Sequence, residues 1–210
     1  MPERCTVIVS GAPRSGTSLI AAMLRACGLW IGDLASNDTQ EDGDIASAIE
    51  RGRAAIFSNP LHLRLAWRGV DVGLLKQKID LRDATFQKWG FKRPRALAAL
   101  GRHGLSLFRS PRVIMPLRDP LPIARWAIKE QPDMSLDYAL RMACRATDAN
   151  LKVAINLAVP VMLISYEKVL FDRAGLLKAL CDFCALDAAP ASQIESLLCQ
   201  AHANYLEIKP

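Results

Sequence analysis

The sequence predicts an α/β domain in which a central parallel β-sheet is flanked by helices. Three observations predict it. Short apolar runs rich in β-branched residues stand at Cys5–Ser10, Val113–Leu117 and Val161–Ser165, without the polar alternation of a half-exposed strand. Strands buried on both faces read in this way. Stretches with helical spacing separate the runs, and the first run passes through glycine directly into a helix, the strand-turn-helix unit from which parallel sheets are wound.

Taken in order, Cys5–Ser10 is the first strand, ended by Gly11. From Gly16 to Cys27 the apolar residues Leu19, Ile20, Met23, Leu24 and Cys27 share one side of a helix, which Gly28 closes. Residues 34–44 are polar and acidic and read as a loop. Ile45 to Phe57 reads as a helix, and Asn59 to Phe86 as helical pieces broken at Pro60 and Gly69. Trp89–Lys92 is a short strand, and Pro94 opens a helix running to about Leu100. Val113–Leu117 is a second buried strand, stopped by Arg118-Asp119-Pro120, with a helix from Leu121 to Lys129. Ser135 is placed to cap one long helix reaching Leu157. Val161–Ser165 is a third strand, and two amphipathic helices, Ala174–Leu186 and Ala191–Tyr205, close the chain.

The 210 residues suffice for one domain, 1–210, with a substantial core. With 51% hydrophobic and 23% charged residues the chain reads as globular rather than disordered. The formal net charge of +6 suits an anionic ligand. The charge is dispersed, however, and no basic run is long enough for a nucleic-acid tail, so no nucleic-acid partner is expected. The opening MPERCTVIVSG reads as neither a signal peptide nor a membrane span, and a cytoplasmic, reduced setting is the expectation. Six irregularly spaced cysteines (5, 27, 144, 181, 184 and 199) in apolar segments read as buried thiols rather than a disulfide framework. Cys181-x-x-Cys184 lies in a helical stretch with no second pair, so it reads as core packing.

The chemistry is concentrated in Gly11-Ala12-Pro13-Arg14-Ser15-Gly16-Thr17-Ser18. A strand, a glycine loop and a helix N-terminus aim several amides at one anion, and the helix adds partial positive charge. The spacing is that of a nucleotide triphosphatase loop, so the domain is P-loop-like, but the usual lysine position holds Thr17 and the positive side chain sits inside the loop at Arg14. No strand ends in an obvious magnesium-holding aspartate. Val113–Leu117 ends in Arg118, which suits a second phosphate better than a metal.

Pro13-Arg14-Ser15-Gly16-Thr17-Ser18 resembles the 5′-phosphosulfate loop of bacterial sulfotransferases, and Arg118-Asp119-Pro120 with Ala124 resembles the family's 3′-phosphate segment. Trp89-Gly90-Phe91-Lys92-Arg93-Pro94-Arg95 is similar to their W-G-x-K-x-P-R stretch, and Glu41-Asp42-x-x-Ile45 to their acidic segment. Ile164-Ser165-Tyr166-Glu167-Lys168-Val169-Leu170 is similar to the ending of a late strand in the same family. The ordered set spans roughly residues 5 to 186. The resemblance implies metal-independent transfer of a sulfuryl group from 3′-phosphoadenosine-5′-phosphosulfate, leaving 3′-phosphoadenosine 5′-phosphate, to a hydroxyl or amine of a small-molecule or carbohydrate acceptor. Such a reaction is governed by positioning and charge stabilisation.

By the same resemblance, Ser15, Gly16, Thr17 and Ser18 grip the 5′-phosphate. Arg14 lies along the phosphosulfate, Arg118 pairs with the 3′-phosphate, and Lys92 stabilises the transferring group. Glu41 is the chosen general base, with Asp42 and Asp44 as rivals. The sequence departs from the family at Trp126, where a second 3′-phosphate contact is usually a serine, and at Leu19, where a tryptophan often stacks on adenine. The acidic segment is also shorter, and the glycine- and lysine-containing C-terminal motif of the animal cytosolic enzymes is absent. Two other readings stay open: a kinase-like phosphotransferase, which would need magnesium and a loop lysine, and a non-catalytic nucleotide-binding protein.

Overall fold

A computed structural model describes residues 4–32, 41–49 and 70–187. Strands β1 (Cys5–Val9), β2 (Trp30–Ile31), β3 (Lys88–Lys92), β4 (Pro111–Leu117) and β5 (Val161–Ser165) form one sheet in the order β2-β3-β1-β4-β5. Every pairing is parallel. The helices are α1 (Thr17–Ala26), α2 (43–49), α3 (Val72–Thr85), α4 (Ala96–Leu105), α5 (Pro120–Glu130), α6 (Leu136–Ala154), α7 (Tyr166–Phe171) and α8 (Arg173–Cys184).

The pleat of β1 explains the three layers. Successive side chains of a strand point to opposite faces. Cys5, Val7 and Val9 join a cluster with Ile20, Met23 and Leu24 of α1 and Leu180, Cys181 and Cys184 of α8. Ile8 enters the opposite cluster, with Leu75 and Ile79 of α3, Leu97 and Leu100 of α4, and Trp89 and Phe91 of β3. Each fully buried large side chain of this kind contributes about 1.5–3 kcal/mol. The α/β sandwich expected from the apolar runs is the observed fold.

Most element boundaries match the expectation within a few residues. Ser135 does cap α6, its hydroxyl accepting from the Tyr138 amide at 3.3 Å. Four readings need correction. The two-residue β2 was not foreseen, because Trp30–Ile31 carries too short a signal and exists only as an edge added to β3 at Trp89 and Gly90. Helix α7 was hidden inside the strand ending: Ser165 closes β5 and caps α7, accepting from the Lys168 amide at 3.4 Å. Helix α4 starts at Ala96 rather than Pro94 and runs on to Leu105 across a non-helical Gly101. Cys144 is exposed rather than buried, whereas Cys5, Cys27, Cys181 and Cys184 are buried as expected. The rest of the expected helix from 50 to Phe57, the pieces from Asn59 to 69, the closing helix Ala191–Tyr205 and Cys199 lie outside the described residues.

Pro116 sits in a strand with neighbours on both sides, where its missing N–H would normally break a ladder. Its position resolves the conflict. The last β1 partner on β4 is Ile114, so Pro116 lies beyond β1 and pairs only with β5, at Ile164. No helix of the described residues is long and apolar enough to cross a membrane.

Candidate functional site

In a parallel sheet all strands deliver their carboxyl ends to one edge, and ligands bind there where the strand order reverses direction. Here the reversal is at β1, flanked by β3 on one side and β4 on the other. The loop after β1, Lys92 and Arg93 at the end of β3, Arg118 after β4 and Tyr166 after β5 therefore share one edge. Three of the four expected charged site residues, Arg14, Lys92 and Arg118, follow from this placement, and Glu41 is brought to Lys92 by a side-chain contact.

The loop is anchored from both neighbours. The Ser10 amide donates to the Ile114 carbonyl at 3.0 Å, and the Arg93 and Arg95 amides donate to the carbonyls of Val9 (3.0 Å) and Gly11 (3.1 Å). A tight turn follows, with the Ser15 amide donating to the Ala12 carbonyl at 3.2 Å. Arg14 and Gly16 both take the left-handed conformation, at φ 65° and 99°. Gly16 is the N-cap of α1 and brings no capping side chain, so the first amides of that helix open toward the loop. Thr17 and Ser15 are buried, and the Ser15 hydroxyl, closed to solvent, has no hydrogen-bond partner among the described residues. An orphaned buried hydroxyl beside open helix amides fits a phosphate oxygen.

Gly16 is required twice over. Its backbone is left-handed, and a Cβ there would stand 2.7 Å from Cε2 of Tyr166 and closer still to Cδ2. Left-handed backbone costs a residue with a side chain about 1–2 kcal/mol, and overpacking costs about 1–3 kcal/mol more. Gly16→Ala is expected to lower stability by about 2–5 kcal/mol. Urea unfolding measures it, and a loss under about 1 kcal/mol would mean that Tyr166 does not wall the loop.

Two arginines stand on aromatic rings at this edge. The Arg14 guanidinium carbon lies 3.6 Å from the centroid of Trp126 on α5, and that of Arg118 lies 4.5 Å from the centroid of Tyr166. Arg118 also donates to the Arg14 carbonyl at 3.1 Å, so the two expected phosphate ligands are neighbours at this edge. Asp119, next to Arg118, is occupied as a helix cap, accepting from the Leu121 amide at 2.8 Å. Trp126, at the expected serine position, lends a ring to Arg14 and offers no hydroxyl.

Lys92 is 4% exposed and donates to Glu41 Oε1 at 3.0 Å. Arg93 holds the other carboxylate oxygen, Oε2. Burial pushes the Lys92 ammonium below its ordinary range. Glu41 opposes that shift, and the positive charge of Arg14 adds to it. The rival carboxylates face elsewhere. Asp42 accepts from the amides of Asp44 and Ile45 at 3.0 Å each, capping α2, and pairs with Arg82 of α3 at 2.8 Å. Asp44 pairs with Lys78 at 3.2 Å and Arg82 at 3.3 Å. Of the three acids weighed from the sequence, Glu41 alone is shown touching Lys92. Arg93, Tyr166 and the Trp126 ring were not foreseen as partners in the site. Arg93 carried a signal, since it follows Lys92 in the quoted stretch, but a side-chain pairing across 52 positions has none. Among the described residues no cluster of three or more His, Cys, Asp or Glu is arranged to hold a metal ion.

No protein-family model matches the chain, and no curated protein matches it. Solved structures do. The sulfotransferase domain of the Synechococcus PCC 7002 olefin synthase aligns with a TM-score of 0.55 at 16% identity, over 92% of this chain and 77% of that one. Retinol dehydratase, crystallised with retinol and PAP, aligns with a TM-score of 0.50 at 17% identity, over 94% of this chain. The chain spans 65% of the dehydratase, just under two thirds of its length. A sugar kinase from Janibacter sp. HTCC2649 reaches a TM-score of only 0.47, too low to bear on the fold. The chain has the fold of the sulfotransferases.

Proposed function

We propose that this sulfotransferase fold binds 3′-phosphoadenosine-5′-phosphosulfate at the edge formed by the loop 11–18, Lys92 and Arg118, and transfers its sulfuryl group to a hydroxyl or amine. The observation that carries the reading is the meeting of the loop with Arg14, Lys92 and Arg118 at the reversal point of the sheet, beside an orphaned Ser15 hydroxyl. The dehydratase aligned above was crystallised with PAP, which supports the choice of nucleotide.

When bound, the donor supplies a sulfuryl group on an anionic phosphate leaving group. The chain's own residues hold and neutralise it. Ser15, the helix amides from Gly16 to Ser18 and the Thr17 hydroxyl cradle the 5′-phosphate. Arg14 offsets charge on the departing phosphate, and Arg118 takes the 3′-phosphate. Lys92, buried and paired with Glu41 at this edge, stabilises charge on the transferring oxygens, where low dielectric strengthens it. Glu41 accepts the acceptor's proton from within reach of Lys92. Its two oxygens are engaged by Lys92 and Arg93, so donor binding must draw Lys92 away before Glu41 is available. That engagement is also the one observation favouring a second reading, binding without catalysis. A small-molecule or carbohydrate acceptor fits the proposal, and part of the expected acceptor loops, residues 34–40 and 58–69, lies outside the described residues.

Titration calorimetry tests the assignment. 3′-Phosphoadenosine 5′-phosphate is expected to bind with magnesium chelated, and Arg118→Ala to weaken it about 10- to 100-fold, as charge-assisted phosphate contacts typically do. Preference for magnesium-ATP would point to a kinase instead. Donor turnover unaffected by both Glu41→Gln and Lys92→Ala would leave only the binding reading.

A further inference from the structure

We propose that Trp126 is a positioning residue whose ring holds the Arg14 guanidinium flat, so that its N–H edge faces an anion at the start of α1. The inference deepens the nucleotide-binding reading above and rests on it. Arg14 occupies the tip of the loop, is solvent-exposed and has a left-handed backbone at φ 65°. An exposed arginine side chain at such a tip ordinarily samples many rotamers, and ordering it opposes ligand binding. Here its guanidinium carbon is 3.6 Å from the Trp126 centroid, which is stacking distance.

Stacking decides which atoms of Arg14 remain available. A guanidinium carries its hydrogen-bond donors in its plane and none on its faces. Covering one face with an indole therefore sacrifices no donor, removes weakly held water and leaves the in-plane fork for a phosphate or sulfate oxygen pair. The platform beneath is itself fixed. Asp119 caps α5, its carboxylate accepting from the Leu121 amide at 2.8 Å, and the Asp119 amide donates to Glu167 Oε1 at 2.9 Å. Trp126 is partly buried one turn and a half further along that helix. Arg118, donating to the Arg14 carbonyl at 3.1 Å, steadies the backbone from the other side. Trp126 thus sits where it can act on the nucleotide through Arg14, without a polar atom of its own at the anion.

Calorimetric titration with 3′-phosphoadenosine 5′-phosphate tests this in a double-mutant cycle. Trp126→Ala is expected to weaken binding about three- to tenfold. Trp126→Phe, which keeps a π face, should recover most of the loss, and Trp126→Leu, which keeps only apolar bulk, should not. In the Arg14→Ala background, Trp126→Ala should cost nothing further, a dependence that a general packing role would not produce. An equal loss with and without Arg14, equal behaviour of the Phe and Leu variants, or no loss at all would each overturn the positioning role while leaving nucleotide binding intact. Failure of the unmutated protein to bind the nucleotide would instead remove the functional reading, and this inference with it.

Discussion

Arg82→Ala is expected to destabilise the protein by about 3–5 kcal/mol, the range for stranding one partner of a buried ion pair. Arg82 and Asp42 are 5% and 2% exposed, and the contact between them is 2.8 Å. The guanidinium also donates to the Lys78 carbonyl at 3.2 Å and lies 5.2 Å and 5.8 Å from the ring centroids of Trp30 and Trp89. Removing it leaves a carboxylate that still caps α2 but has lost its buried cation. The effect is pH-dependent with a definite sign. Burial raises the Asp42 carboxyl above its ordinary 3.8, against the pull of the Ile45 amide and Arg82. A raised folded value means that the folded state binds the proton more tightly, so the Asp42 contribution falls as pH rises from the unfolded value through the folded one. Without Arg82 the folded value rises further and the window extends upward. Urea unfolding should therefore show a larger loss near pH 8 than near pH 5. Equal losses at both, or a loss under about 1 kcal/mol, would sink the claim that Arg82 neutralises Asp42. The same anchor holds Glu41 one residue away, so donor turnover should fall as well.

Lys92→Ala is expected, on the proposed chemistry, to slow sulfuryl transfer by about 10²–10³, the usual loss when one preorganised charge is removed from a developing anion. Arg93 and Arg14 are near but do not stand in for it, because Arg93 is bound to the far oxygen of Glu41 and the proposal assigns the Arg14 donors to the departing phosphate. Lys92→Arg should restore little, since a planar fork does not fit a site built around a 4% exposed ammonium. The readout is release of labelled sulfuryl group from the donor to water or a phenol, with nucleotide affinity measured separately to isolate the transfer step. The wild-type rate should also decline on the alkaline side below the ordinary lysine range, because burial lowers the Lys92 pKa and the charged form is lost as pH rises through it. That limb should vanish in Lys92→Ala. A variant within about threefold of wild type would remove Lys92 from the chemistry.

The long elements were legible because their signals are local. A buried β-branched run closing on glycine, as at Val7-Ile8-Val9 before Gly11, admits few alternatives, and Ser135 announces the start of α6 by a hydroxyl three residues from the amide it accepts. The glycine loop between strand and helix was legible for the same reason: Gly11, Gly16 and the helix start lie within one short stretch. Short elements were not. Trp30–Ile31 is a strand only because β3 is there to pair with it, and α7 begins at the very residue that ends β5.

Sequence alone determined the layered α/β architecture, the glycine loop between β1 and α1 that carries Arg14, and the presence of Lys92 and Arg118 at the ends of β3 and β4, since each depends on neighbours along the chain. Tertiary structure decided which acid meets Lys92, sent Asp42 and Asp44 to α3, and put Trp126 under Arg14. Those outcomes depend on how the layers pack across tens of residues: a carboxylate one position from another can face a different element, and only burial and the cations already waiting there choose between them.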